Sequence, residues 1–198
     1  MDVFRLSYPA CVIAGKVRLT ARDIDVLRDH VFTGGMTTSQ DAVILLAINR
    51  SSTEKCPEWQ PYFIETMTDF IVRHCYPQGA MDEWNAEWLI AMISTRGIVN
   101  SRIERDLLFH IIDTAARIPD SLSIFALEQI RLALSHEACP AEHGAPERRL
   151  TMEDVRLVCR VMAAIARSRG VNLTDREARM LRQVGILIGL GGQGEKAA

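Results

Sequence analysis

A chain of 198 residues, 48% hydrophobic and 24% charged, carries enough apolar material for a sizeable core and lacks the bias of a disordered or fibrous protein. Its formal net charge of -2 offers no overall field for a phosphate backbone or an anionic lipid surface, so neither nucleic acid nor membrane is an expected partner. The five cysteines are odd in number and form no CxxC pair, which argues against a disulfide framework and a zinc ribbon. No apolar run approaches the roughly 20 residues of a spanning helix, and the expected location is the cytoplasm.

In chain order, residues 1–19 read as an extended lead-in, with Pro9 ahead of the apolar Cys11-Val12-Ile13-Ala14. Thr20-Ala21-Arg22-Asp23 then opens a helix. The hydroxyl can accept from an orphan backbone N–H, and the acid three residues on can accept from the cap's own N–H. Helices are predicted at about 20–32, 38–49, 57–76, 81–95, 101–117, 121–136, 151–168 and 174–189. Pro57 and Pro61 suit the first turn of the third, where a missing N–H costs nothing. Ile103, Leu107, Ile111 and Ala115 form one apolar stripe, and Val155, Val158, Met162 and Ile165 form another. Thr151–Asp154 and Thr174–Glu177 repeat the capping box of Thr20. Residues 137–150, rich in proline and charge, read as an internal linker, and residues 191–198 as a disordered tail. The fold class is therefore all-α. The expectation is a compact bundle of about eight helices forming one domain over residues 1–190.

Aligning the glycines between helices exposes a repeated unit. Gly34, Gly97 and Gly170 are each followed by a capping hydroxyl or amide and, at the seventh position, by an acid: Asp41, Glu104 and Glu177. A glycine supplies the positive φ that ends one helix, and the cap with its acid starts the next. The spacing suits the EF-hand type of turn, but the acids that would cage calcium before the glycine are missing. Arg96 and Arg169 stand in front of Gly97 and Gly170. The run Arg169-Gly170-Val171-Asn172-Leu173-Thr174-Asp175-Arg176-Glu177 resembles the turn of tellurite-resistance TerB-like helical proteins, with Gly97 to Glu104 as a looser echo. That resemblance implies a helical bundle, a role in stress response and a metal held by acids around the turn. Arg169 and Arg96 replace the acid such a metal would need.

Chemistry-bearing residues are few. His136, Cys139 and His143 put two imidazoles and a thiol in one loop, a donor set for zinc or a similar divalent ion. His74 and Cys75 are adjacent, so on a helix they point about 100° apart and do not make a base–nucleophile pair. Trp84 and Trp88 lie one helical turn apart, and Trp59 begins the preceding helix. Exposed, these three would anchor a partner; buried, they would fill the core. No GxSxG elbow, P-loop, HExxH helix or dinucleotide fingerprint is present, and no cofactor is assigned beyond the divalent ion. The reading that follows is a protein-interaction or regulatory module, acting on a protein partner or on itself as a homodimer. Metal handling in the TerB-like manner is the first alternative, and an enzyme without a recognisable motif the second.

Overall fold

The computed structural model describes residues 7–135, 151–170 and 172–187, which form an all-α fold with two very short strand pairings. The residues group into two compact units, 1–78 and 79–198, where the sequence reading placed one domain over 1–190. The expected linker at 137–150 and tail at 191–198 lie outside the described residues.

In the first unit, α1 (Tyr8–Ala14) corrects the extended lead-in expected before Thr20. Pro9 occupies its first turn, where no N–H is needed, and Ala10 and Ile13 turn inward. Strand β1 (Arg18–Leu19) pairs in parallel with β2 (Glu54–Lys55). Helix α2 (Ala21–Val26) opens on the Thr20–Asp23 box and widens into a π-helical turn at Leu27–Val31. Helix α3 (Ser39–Ser51) opens on a further box, Thr38–Asp41, and α4 (Trp59–Thr68) runs on as a π-helical turn at Asp69–His74. Trp59 sits in the core with Phe63, their rings stacked at 6.2 Å between centroids. Its indole N–H donates to the buried Asn49 Oδ1 at 3.0 Å, so the one polar atom of the ring is satisfied inside the protein.

The second unit opens with α5 (Glu83–Ile93), capped by Asp82, whose carboxylate accepts the Asn85 N–H at 2.8 Å. A hairpin of β3 (Ser94–Thr95) and β4 (Ile98–Val99) follows. Its two-residue loop, Arg96-Gly97, has φ of 53° and 80°, the doubly positive geometry of a tight hairpin turn. Gly97 is therefore not the helix terminator that its spacing suggested, because α5 has already ended at Ile93. Helices α6 (Arg102–Thr114), α7 (Asp120–Leu134), α8 (Met152–Arg169) and α9 (Asp175–Leu187) complete the unit. Helix α7 is the hub, touching α5, α6, α8 and α9, and α6 also packs on α8. The last two helices thus belong to this unit and are no separate pair. Gln129 on α7 clamps the hairpin: its Nε2 donates to the Gly97 carbonyl at 2.9 Å, and its Oε1 accepts the Val99 N–H at 3.0 Å.

Gly170 does end a helix. It caps α8 with φ 71° and ψ -154°, a region open in practice only to glycine, and its N–H donates to the Ala166 carbonyl at 2.9 Å. A Cβ built there would meet nothing within 4 Å, so the cost of a side chain is backbone strain alone. Gly170→Ala is expected to lower stability by about 1–3 kcal/mol. Urea melts followed by far-ultraviolet circular dichroism test this, and an unchanged midpoint would show that the turn tolerates another conformation.

Candidate functional site

The acids of the repeated turns were the first candidates for ion ligands, and their surroundings can be followed atom by atom. Glu177 is fully buried. Its Oε2 accepts the Thr174 N–H at 2.9 Å and the Thr174 hydroxyl at 3.0 Å, while Oε1 accepts from the Arg169 guanidinium and the Ser123 hydroxyl. One carboxylate thereby joins α7, the end of α8 and the start of α9. Burial alone pushes the Glu177 carboxyl up, but the Ser123, Thr174 and Arg169 donors outweigh it and hold the group below the usual carboxylate range.

The first unit repeats this arrangement. Asp23, 4% exposed, accepts the Thr20 N–H at 2.9 Å and the Thr20 hydroxyl at 2.8 Å on Oδ2, and Lys16 Nζ at 2.5 Å on Oδ1. Burial raises this carboxyl too, and the Lys16 and Thr20 donors again bring the balance below the ordinary range. In both turns the positive charge that a metal ion would bring comes from the chain itself, from Lys16 or Arg169. The sequence reading missed both cations as partners. A signal was present: Val17-Arg18-Leu19-Thr20-Ala21-Arg22-Asp23 matches Val171-Asn172-Leu173-Thr174-Asp175-Arg176-Glu177 at four positions and conserves the acid, with a cation upstream of each.

The proposed metal ligands His136, Cys139 and His143 lie outside the described residues. Among the described residues, no three His, Cys, Asp or Glu side chains gather closely enough to hold an ion. His74 is exposed beside a half-buried Cys75. Burial, with Glu58 beside it, pushes the Cys56 thiol up, away from the thiolate a nucleophile needs.

The three tryptophans separate. Trp59 is 0% exposed in the first unit, which corrects its assignment as a partner anchor: packing on Phe63 and the bond to Asn49 account for it as core. Trp84 and Trp88 sit on α5 of the second unit, the former 76% exposed and the latter half-buried.

A second apolar surface lies elsewhere on the second unit. Ile98 from the hairpin, Ile124, Phe125 and Leu132 from α7, and Met180 from α9 line a groove of about 450 Å³. Past Glu128 and Met180 it continues into a second depression of about 560 Å³, walled by Arg131, Gln183, Ile186 and Leu187. Ile98 is 49% exposed, Ile186 69% and Leu187 45%, so apolar side chains stand uncovered along the groove. Along α7 the groove runs from Ser121 to Leu132, a helical rise of about 17 Å, enough for two to three turns of a docked helix. Two of its charges cancel locally, because Arg131 grips Glu128 with two hydrogen bonds of 2.8 Å, and Arg96 adds a cation at the hairpin end. Neither Trp84 nor Trp88 lines it. No helix among the described residues is long and apolar enough to cross a membrane. No family model, curated protein or solved structure matches the chain.

Proposed function

We propose that this protein is a helical interaction module whose working surface is the groove between α7, α9 and the β3–β4 hairpin, and that the occupant of the groove is a second copy of the chain. The supporting observation is the contiguous apolar face in which Phe125, Leu132 and Met180 share a lining with the more exposed Ile98, Ile186 and Leu187. A face carrying both groove and anchor is self-complementary, so a two-fold rotation seats the α9 end of each copy in the groove of the other. The Glu128–Arg131 pair is neutral as a unit, and a net charge of -2 gives little repulsion between copies.

Metal handling is the second reading. Its support is the resemblance of the Arg169–Glu177 run to TerB-like turns, and the protein donors already filling the Glu177 carboxylate weigh against an ion there.

Sedimentation equilibrium tests the interaction reading. The wild type is expected to dimerise reversibly at protein concentrations up to about 100 μM, and Ile186→Glu, which puts a charge into the apolar contact, to weaken association at least about tenfold with unchanged circular dichroism. A wild type that stays monomeric, or a dimer indifferent to Ile186→Glu, would overturn it.

A further inference from the structure

A separate cavity of about 290 Å³ lies between α6, α7 and α8, just below the roughly 300–1,000 Å³ usual for small-molecule sites. Arg102 and Arg105 stand on one side, in the first turn of α6, and Glu153 on another, in the first turn of α8. Phe109, Ile130 and Leu157 supply apolar wall.

Three features mark this cavity as more than a packing gap. The Nε of Arg105 is buried and has no hydrogen-bond partner, although a guanidinium taken out of water requires an acceptor. Arg102 and Arg105 also stand where the helix dipole already concentrates positive charge, a position the fold gains nothing by filling with cations. Finally, charges of both signs line the same space, yet neither arginine forms an ion pair among the described residues. Among the described residues, the remaining polar neighbours are committed elsewhere. Gln129 is spent on the hairpin, and Asp154 Oδ2 accepts the Thr151 N–H at 2.9 Å and the Thr151 hydroxyl at 2.6 Å.

We infer that this cavity binds a free α-amino acid with an apolar side chain. The carboxylate meets the Arg105 and Arg102 guanidinium groups, which present paired donors suited to it. The ammonium meets Glu153, and the side chain lies against Phe109, Ile130 and Leu157. A simple anion would face Glu153 and Asp154, and a simple cation would face two arginines. A zwitterion satisfies both walls.

Calorimetric titration of the full chain with leucine, and with its two half-charged analogues isocaproate and isoamylamine, tests this. Leucine is expected to bind and each analogue to bind at least about tenfold more weakly. Arg105→Gln is expected to remove leucine binding. Glu153→Gln, at an exposed position that is not the capping acid, is expected to reduce leucine to the level of isocaproate while leaving isocaproate unchanged, so the test stands even if Arg105→Gln fails to fold. No heat with leucine up to about 10 mM, or isocaproate binding as tightly as leucine, would overturn the inference.

Discussion

Glu177→Ala is expected to destabilise the protein by about 3–5 kcal/mol, the loss that follows when one partner of a buried, hydrogen-bonded ion pair is removed. The reason lies in what remains. Arg169 would keep a half-buried guanidinium, the Thr174 N–H would lose its acceptor, and the buried Ser123 hydroxyl would be left with only the Asp120 carbonyl at the junction of three helices. Glu177→Gln keeps the shape and one acceptor oxygen but leaves the Arg169 charge uncompensated, so it should fall between wild type and alanine. The same carboxylate carries a pH signature. Its folded pKa lies below the ordinary range, so its contribution is complete above that range and is lost as pH falls through the depressed value. Asp23 acts in the same direction. Acid unfolding of Glu177→Gln should therefore be less steep than that of the wild type. Urea melts between neutral and acid pH measure both effects, and a Glu177→Ala variant within about 0.5 kcal/mol of wild type would show that the network does not hold the helices.

Trp59→Ala is expected to cost about 3–5 kcal/mol, as for other large aromatic side chains removed from a packed core. Trp59 is fully buried against Phe63, and Asn49, 3% exposed, would lose the donor to its Oδ1. Trp84→Ala, at a residue 76% exposed, should stay within about 0.5 kcal/mol of wild type. Equal costs at the two positions would contradict this assignment of core and surface.

These two residues also show where sequence reading reaches and where it stops. Caps are local chemistry, and the Thr20, Thr151 and Thr174 boxes open α2, α8 and α9 as their spacing requires. The positive φ of Gly34, Gly97 and Gly170 was equally legible, because only the chain's own geometry is involved. What a capped acid meets next is tertiary. Ser123 lies 54 residues from Glu177, and no helical period links the two. Pro9 misled because a proline suits both an extended segment and the first turn of a helix, and only the burial of Ala10 and Ile13 favours the helix. The groove was hidden for a related reason. Met180 and Ile186 fall on a predicted helix, where periodicity identifies a face without saying whether anything covers it, and Ile98 falls between predicted helices, where periodicity says nothing. Sequence proximity groups the three tryptophans, although Trp59 and Trp84 belong to different units.

The turns then take a different meaning from the one their spacing suggested. A capping threonine and its buried acid form a joint at Thr20–Asp23 and again at Thr174–Glu177, and Lys16 or Arg169 supplies the positive charge that a metal ion would bring. With the Asp23 and Glu177 joints satisfied internally, the α7–α9 groove is where we propose the interaction surface of the second unit.

The location of the proposed interface can be tested with a photo-cross-linking benzoyl-phenylalanine introduced at position 186 in one variant and at position 84 in another. Irradiation is expected to trap a covalent dimer from position 186 and leave the position 84 variant monomeric. Cross-linking from position 84 alone, or from neither position, would contradict a self-association surface in the groove.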